Sequence, residues 1–164
     1  MENNKNNLEK LASFPLLSGI TPEDLSDLFS VLTEKHISQG ENIITEGDSG
    51  SEMYILMEGR VDIIKTTVFG DRFVVCTLED YMHCVFGEMA LIDTDKRSAT
   101  VHAMTDCTCL VVSKESFNAF LASHPAAGVE LLKFISINLV RNLRKENDNL
   151  NLVYQALIEE IENR

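Results

Sequence analysis

One stretch of the sequence combines small, acidic and basic residues at spacings that suit the binding of a phosphate. It runs from residues 86–92 (FGEMALI) to residues 97–101 (RSATV). Small residues at positions 87 and 90 let a ligand approach the backbone closely, and the first turn of a short helix offers N–H groups to an anion. Arg97 supplies a guanidinium fork for a phosphate, and Ser98 adds a hydroxyl beside it.

Glu88 adds an acceptor for a sugar hydroxyl, so the stretch suits one phosphate attached to one ribose. A carboxylate and an arginine in this arrangement suit holding a phosphate better than cleaving it. The sequence shows no Ser-His-Asp order, no paired-carboxylate site, no metal-ligand spacing among its histidines and no Gly-Lys-Ser/Thr phosphate loop. These observations predict a binding protein without a metal or cofactor, and they do not indicate an enzyme.

Short strand-like segments on both sides must position this stretch. Between about residues 34 and 112 they are rich in Ile, Val, Tyr and Thr, and turn residues separate them. Glycines at positions 40, 47, 50, 59 and 70 fall between the segments, where tight turns need a positive φ. Seven or eight such strands predict an antiparallel sandwich or barrel-like roll, with a single helical turn inserted between two strands.

Helices are predicted before and after the strands. Thr21 is a typical N-cap, and Ser113 caps a short helix that ends at His124-Pro125. A long helix then follows to about residue 161, with an apolar stripe of Leu132, Ile135, Leu139, Leu143, Leu150, Tyr154, Leu157 and Ile161. We therefore expect a polar N-terminal segment (1–13), a roll with its N-terminal helices (14–125) and a long C-terminal helix (126–164).

The far part of the long helix has little chain left to cover its apolar stripe. We predict that this part, beyond about Arg144, packs in parallel against a second copy of itself and makes a homodimer. Asn147, Asn149 and Asn151 interrupt the stripe and would fix the register of the two helices. The alternative is a monomer in which the helix folds back onto the roll.

Composition limits the classes of partner. The 164 residues carry 14 Lys and Arg against 26 Asp and Glu, so the formal net charge is −12. This balance argues against nucleic acid and against a membrane surface as partners. Residues 1–13 lack the apolar core of a secretory signal, and no run reaches the length of a membrane span. The four cysteines are then expected to be free thiols in a cytoplasmic protein.

The stretch FGEMAL…RSATV resembles the phosphate-binding cassette of the cyclic nucleotide-binding domains. Motifs around Gly40-Glu41, Glu46-Gly47-Asp48 and Glu58-Gly59 follow in the family's order and spacing, so the resemblance covers about residues 14–145. It implies a mainly β fold, an antiparallel β-roll of the jelly-roll type. An N-terminal helix, a short cassette helix and a long C-terminal helix flank the roll in this family.

The resemblance also implies a role for each cassette residue. Glu88 matches the glutamate that accepts a hydrogen bond from the ribose 2′-hydroxyl, and Arg97 matches the arginine that pairs with the cyclic phosphate. The other matched positions are Gly87, Met89 and Ala90, whose backbone lines the ribose-phosphate, and Ser98 and Ala99, the two small residues after the arginine.

The implied ligand is a cyclic nucleotide, with cyclic AMP favoured over cyclic GMP. Ser98 leaves both open, because a hydroxyl at its position in related domains can meet a guanine amino group. Candidate contacts for the base are Val61 and Val74 on the roll, and Glu146, Asn147 and Asn149 on the long helix.

The sequence departs from the family pattern at three places. Residues 81–85 (YMHCV) replace the usual Gly-Asp before the cassette, which would reshape the entry strand. Asp93 and Asp95 lie close to the phosphate site and would lower its affinity for an anion, while Lys96 stands where proline is common and offsets part of that cost. No DNA-binding helix-turn-helix follows the roll.

We therefore predict a regulatory sensor. Ligand binding would order the cassette, move the hinge near His124-Pro125 and reposition the C-terminal helix, which a downstream protein would then recognise. A ligand moves such an equilibrium only through its different affinities for the two helix positions. The alternative is a ligand-free dimerisation or protein-interaction module of the same fold.

Overall fold

The structure, a computed structural model, describes residues 2–162, and the side chains of residues 6–15 and 17–162. The helices are α1 (Glu2–Ala12), α2 (Pro22–Ser30), α3 (Met89–Ile92), α4 (Lys114–Ser123) and α5 (Pro125–Glu162). The strands are β1 (Thr33–Ile37), β2 (Asn42–Ile44), β3 (Glu52–Glu58), β4 (Arg60–Thr66), β5 (Arg72–Glu79), β6 (Val85–Phe86), β7 (Thr100–Ala103) and β8 (Cys107–Ser113). Short 3₁₀ turns cover Pro15–Leu17 and Asp80–Met82.

The eight strands form two four-stranded antiparallel sheets. The first sheet has the order β1-β8-β3-β6, and the second has the order β2-β7-β4-β5. The antiparallel roll predicted from the short strands is therefore confirmed, as are the flanking helices. More residues lie in helices than in strands, because α5 alone is 38 residues long.

Two apolar cores lie on opposite faces of the first sheet. The inter-sheet core packs this sheet against the second one and includes Ile44, Tyr54, Val61, Phe86 and Val101. The helical core packs the other face of β3 and β8 against all five helices. Its members include Leu11, Leu28, Ile55, Leu91, Leu110, Phe117, Phe120, Leu131 and Ile135. The short helix α3 therefore belongs to the same core as α4 and the beginning of α5.

Side-chain caps set the helix starts that the sequence predicted. The Thr21 hydroxyl accepts a hydrogen bond from the Asp24 N–H at 3.2 Å, and the Ser113 hydroxyl accepts one from the Ser116 N–H at 3.1 Å. Each bond satisfies an N–H that the first turn of a helix leaves without a backbone partner. His124 separates α4 from α5, as the His124-Pro125 pair predicted.

The polar segment 1–13 contains a helix that packs on the roll. In α1 the side chain of Leu11 is fully buried in the helical core. Asn7 donates a hydrogen bond to a Glu34 carboxylate oxygen at 2.5 Å, and the Lys10 ammonium donates to the Met57 carbonyl oxygen. This segment therefore contributes to the same folded unit as residues 14–125.

Helix α5 is covered by the protein only over its first part. Ala127, Leu131 and Ile135 are buried, whereas every side chain over residues 140–162 is exposed. The distal part of the helix therefore does not pack on the roll. Its exposed apolar side chains are Val140, Leu143, Leu150, Leu152, Val153, Tyr154, Leu157, Ile158 and Ile161. None of the helices within residues 2–162 is both long and apolar enough to cross a bilayer.

Candidate functional site

The guanidinium of Arg97 lies against the backbone at the start of the predicted cassette. Its Nη1 donates to the Gly87 carbonyl oxygen at 3.2 Å, and its Nη2 donates to the Glu52 carbonyl oxygen at 2.8 Å. The backbone of Arg97 is fixed as well, because its N–H donates to Asp48 O and its carbonyl accepts from Gly47 N, both at 2.9 Å. The structure thus brings Arg97 beside Gly87, although ten positions separate them in the sequence.

Gly87 meets two requirements that only glycine satisfies together. Its φ is +76°, which L side chains rarely adopt. A Cβ at this position would also lie 2.9 Å from Arg97 Nη1 and 3.0 Å from the Glu52 carbonyl oxygen. Gly40, Gly47, Gly59 and Gly70 have the positive φ that the turn pattern predicts. Gly50 does not, so the prediction of a left-handed turn is wrong at that position.

Glu88 follows Gly87 directly and is buried, with 8% of its surface exposed. Burial raises the pKa of its carboxyl above the ordinary value, and its own backbone N–H partly offsets this by donating to the carboxylate. A carboxylate held in such surroundings gains from a hydroxyl donor, because the bond replaces water that burial has removed. Glu88 is therefore suited to accept a hydrogen bond from a ligand hydroxyl.

Helix α3 is a single turn that already uses part of its hydrogen-bonding capacity. The Ala90 N–H donates to Gly87 O at 3.2 Å, and the Leu91 N–H donates to Glu88 O at 3.0 Å. The first-turn N–H groups were predicted to bind an anion, and these two are engaged in hydrogen bonds within the turn. A ligand phosphate would compete with the Gly87 carbonyl for the Ala90 N–H.

The remaining cassette residues lie on the surface beside this turn. Ser98 is exposed, and its hydroxyl donates to the Met89 sulfur at 3.9 Å. Because a thioether sulfur is a weak acceptor, the hydroxyl can rotate to bind a ligand instead. Met89 is 46% exposed, and Ala99 is partly buried. Asp93 and Asp95 are also exposed, so solvent screens their repulsion of an anion.

The entry to the cassette is rebuilt where the family's usual Gly-Asp is missing. Residues Asp80–Met82 form a 3₁₀ turn, and His83 follows with a φ of 52°, in the left-handed region. The His83 ring packs edge-on against Phe14, with ring centroids 4.9 Å apart. A histidine thus takes the backbone conformation that glycine adopts more easily, and its side chain ties the entry strand to the N-terminal part of the chain.

The structure changes the assignment of the base contacts on the roll. Val61 is fully buried in the inter-sheet core, so its side chain has no surface to offer a ligand. Cys76 pairs with Ile63 and Val74 pairs with Ile64, which leaves Val75 as the extra residue of a bulge. Val74 consequently lies with Ile64 and His102 around a surface cavity of about 260 Å³.

That cavity lies on the outer face of the second sheet, because His102 alternates with the buried Val101 and Ala103 of β7. On the inner face the corresponding residues are Ile63 and Cys76, which become the candidate base contacts of the roll. They were not predicted from the sequence because the bulge in β5 was not predicted. The adjacent apolar Val74 and Val75 in β5 were the available signal.

The long helix passes close to this inner face. The pKa of the half-buried Cys76 thiol is raised mainly by burial, while the charge of Lys145 lowers it and that of Glu146 raises it. These charges act on Cys76 only because α5 runs near β5 at this level. Asn147 and Asn149 are exposed in the same part of the helix.

A network behind Arg97 supports the site and was not predicted. The Tyr54 hydroxyl donates to the Glu52 carboxylate at 2.7 Å, and the Tyr54 ring stacks on Phe86 with centroids 5.3 Å apart. Burial and the Glu52 carboxylate raise the pKa of Tyr54, so it stays a neutral donor. Because Phe86 precedes Gly87, this stack fixes the carbonyl that accepts from Arg97.

The described residues contain no group of three or more His, Cys, Asp and Glu side chains that could hold a metal ion. All four cysteines are free thiols. Cys107 and Cys109 are buried in β8, and Cys76 and Cys84 are partly buried. The chemistry of the site is therefore that of one guanidinium, one buried carboxylate and a short stretch of small residues.

Comparisons with known proteins point to one family. The sequence profile of the cyclic nucleotide-binding domain matches residues 34–124. The chain is 32% identical over 140 residues to human cGMP-dependent protein kinase 2, covering 84% of this chain and 18% of the kinase. It is 29% identical over 139 residues to the Cyclic AMP receptor protein of Thermus thermophilus, covering 85% of this chain and 62% of the receptor. The chain thus spans less than two thirds of either relative.

A solved structure shows the same fold. The structure of a cyclic nucleotide-binding domain from Methylobacillus flagellatus superposes with a TM-score of 0.78, covering 90% of this chain and 82% of that one at 23% identity. The family is a cyclic nucleotide-binding regulatory domain and not a catalytic one, and the matches to kinases are to their regulatory parts. The chain belongs to the cyclic nucleotide-binding domain family.

Proposed function

We propose that this chain is a sensor whose cassette binds cyclic AMP in preference to cyclic GMP. The observation that carries the proposal is the position of Arg97, which two carbonyl oxygens hold beside Gly87 and the buried Glu88. A cation and a desolvated acceptor on adjoining residues suit a phosphate and a ribose hydroxyl of one small molecule.

The five N–H groups of the Arg97 guanidinium allow two kinds of contact at once. Two of them hold the carbonyl oxygens of Glu52 and Gly87, and an N–H group that neither these carbonyls nor Gly50 occupies can donate to a cyclic phosphate. Glu88 then accepts from the ribose 2′-hydroxyl, and the backbone of Gly87, Met89 and Ala90 lines the ribose-phosphate. Ser98 and Ala99 complete the small-residue rim of the site.

The base would lie between the inner face of β5 and α5. Ile63 and Cys76 offer the apolar surface, and Glu146 with Asn147 and Asn149 supplies polar groups from the helix. The relatives include a receptor named for cyclic AMP and a kinase named for cyclic GMP. Both nucleotides are therefore tested, and tighter binding of cyclic GMP would contradict the preference while leaving the phosphate site in place.

Contacts within the helical core support a path from the cassette to α5. Leu91 of α3 is 3% exposed and packs in one core with Phe117 and Phe120 of α4 and with Leu131 of α5. The Lys114 ammonium also donates to the Asp93 carbonyl oxygen at 2.6 Å, which links the end of α3 to the beginning of α4. A ligand that shifts α3 would therefore move α4.

The joint between α4 and α5 has its own restraint. The His124 Nε2 lies 3.1 Å from an Asp27 carboxylate oxygen and 4.0 Å from Asp24, both on α2. Its ring stacks on Phe120 with centroids 4.5 Å apart. If α5 changes its position, these contacts must either break or move together with the helix. His124 is therefore the hinge in the proposed switch.

The exposed stripe of α5 supports a homodimer. Val140, Leu143, Leu150, Tyr154, Leu157 and Ile161 alternate by three and four residues, with Asn147 at one inner position of the same series. A polar residue at such a position fixes the register of a two-stranded coiled coil at some cost in stability. The net charge of −12 favours a protein over nucleic acid or a membrane surface as the downstream partner, in the cytoplasm.

A titration of the full chain with cyclic AMP and with cyclic GMP tests the proposal. We expect heat of binding with both nucleotides and a lower Kd for cyclic AMP. Absence of binding with either nucleotide would contradict the sensor function and would favour a dimerisation module of the same fold, since the exposed stripe of α5 needs no ligand.

A further inference from the structure

We propose that Gly50 is the positioning residue of the phosphate-binding arginine: a side chain at position 50 would displace the Arg97 guanidinium from its place between β3 and the cassette. The inference rests on the proposed function for its effect on nucleotide affinity. Its structural part, the dependence of Arg97 on position 50, stands on the geometry alone.

Position 50 differs from the other glycine positions in the turns of the roll. Gly40, Gly47, Gly59 and Gly70 have positive φ, which explains glycine there without reference to a ligand. Gly50 lacks a positive φ and is exposed, so its backbone conformation does not require glycine. What requires glycine is the space beside it.

Arg97 fills that space. A Cβ on residue 50 would lie 2.5 Å from Arg97 Nε, 2.7 Å from Nη2 and 2.9 Å from Cζ. Both nitrogens are nearer than the carbon between them, so the added methyl would meet the Nε–Nη2 edge of the guanidinium and not its flat face. The guanidinium therefore packs edge-on against the bare backbone of Gly50.

The same edge-on packing sets the two hydrogen bonds of the site. With Nε and Nη2 turned to Gly50, Nη2 also reaches the Glu52 carbonyl oxygen at 2.8 Å and Nη1 reaches the Gly87 carbonyl oxygen at 3.2 Å. A methyl group at position 50 would push the guanidinium away from both carbonyls. The arginine would then sample other rotamers, and a ligand would have to reorder it on binding.

The atoms that the methyl would meet belong to the far end of a long, partly exposed side chain. The fold can therefore accept the substitution by releasing Arg97, and Gly50→Ala is expected to fold normally. This property separates the positioning role of Gly50 from a structural role in the β2–β3 turn.

Affinity measurements on four full-length proteins form the first test: wild type, Gly50→Ala, Arg97→Ala and the double variant. We expect Gly50→Ala to weaken cyclic AMP binding at least about tenfold. In the Arg97→Ala background the same substitution should change the Kd by less than about twofold, because the side chain through which it acts is gone. Wild-type affinity in Gly50→Ala, or an equal loss in both backgrounds, would overturn the proposal.

Gly40→Ala is the matched control. Its Cβ would meet nothing within 4 Å, but its φ of +89° makes the substitution strained. This variant should lose thermal stability and keep its nucleotide affinity. If it loses affinity as Gly50→Ala does, destabilisation and not arginine positioning explains the effect.

Melting temperatures of the same proteins without nucleotide test the inference even if no nucleotide binds. Gly50→Ala should lower Tm when Arg97 is present, because the two carbonyl bonds are lost. In the Arg97→Ala background it should raise Tm by about 1–4 °C, because alanine at a compatible φ reduces the entropy of the unfolded chain. A Tm change of the same sign in both backgrounds would overturn the structural part, independently of the proposed function.

Discussion

Arg97 and Glu88 are two ionisable groups whose surroundings differ although both lie at the cassette. Arg97 is partly exposed and has two backbone acceptors. Glu88 is buried, and its own backbone N–H donates to the carboxylate and opposes the rise of its pKa. Burial therefore makes the charged form of the Glu88 carboxylate costly. The proposed hydrogen bond from a ligand hydroxyl would offset that cost.

Replacing Glu88 with glutamine should stabilise the ligand-free protein and weaken nucleotide binding. The folded-state pKa of Glu88 is raised, so the wild type loses stability as the pH rises from the ordinary carboxyl range through that raised pKa. Glutamine has no such loss. The free energy of unfolding of Glu88→Gln should therefore exceed that of wild type at neutral pH, and the difference should shrink on acidification.

Urea unfolding at several pH values measures this difference, and titration measures the affinity. Glutamine still accepts a hydrogen bond but carries no charge, so binding should weaken by about 1 kcal/mol. Glu58→Gln, at an exposed position of β3, is the control for the loss of one negative charge. Lower stability of Glu88→Gln at neutral pH would show that the carboxylate serves the fold and would contradict this account.

Among the elements, helix α3 contacts two different parts of the molecule, one on each of its sides. One side carries the backbone of the cassette, and the other buries Leu91 in the helical core with α4 and α5. Ile92, the next residue, is 51% exposed. A turn of only four residues thus joins the proposed ligand site to the helices that would move in the proposed switch.

Leu91→Ala should lower the free energy of unfolding by about 2–5 kcal/mol, because it removes a buried side chain and leaves a cavity. Ile92→Ala, on the exposed side of the same turn, should change it by only about 0.5 kcal/mol. Chemical denaturation of the two variants under the same conditions measures both values. Equal losses would mean that α3 does not pack on the helical core as described.

At the scale of the whole molecule, the roll is self-contained and the distal part of α5 is not. Every side chain over residues 140–162 is exposed, and the apolar ones recur at coiled-coil spacing. An exposed apolar stripe of this length is typical of a surface that binds a protein. In the homodimer that we propose, a second copy of the same helix would provide a complementary stripe, and Asn147 would give the pair a defined register.

Ending the chain after Arg144 should convert a dimer into a monomer and leave the roll folded. Sedimentation velocity of the full and shortened proteins measures the change in mass. Because the removed side chains are exposed in the single chain, the Tm of the roll should fall only by the contribution of dimerisation. An unchanged dimer after truncation, or a full-length chain that is already a monomer, would contradict a dimer through α5.

The sequence predicted the features that depend on local signals. The caps at Thr21 and Ser113, the break at His124, the single turn of α3 and the antiparallel roll all follow from residue types at fixed spacings. Features that depend on register could not be predicted in the same way. One extra residue at the β5 bulge turns Val74 outward, and the alternation of β4 buries Val61.

Contacts between segments that are distant in the sequence also could not be predicted from it. Gly50 looked like a turn glycine, and only the position of Arg97, 47 residues later, shows why a side chain does not fit there. Leu11 looked like part of a polar segment, because a single buried side chain in α1 leaves no periodic signal. The cassette residues could be predicted from the sequence and stay a prediction, whereas the residues that contact Arg97 could be identified only from the fold.

Calorimetric titration of wild type and Arg97→Ala with cyclic AMP and cyclic GMP shows whether the cassette binds a cyclic nucleotide through Arg97. We expect binding to the wild type and a loss of at least about 2 kcal/mol in Arg97→Ala, because the bound phosphate would lack its charged partner. Circular dichroism should show that the variant keeps its fold. No heat from the wild type with either nucleotide, or wild-type affinity in Arg97→Ala, would contradict the account.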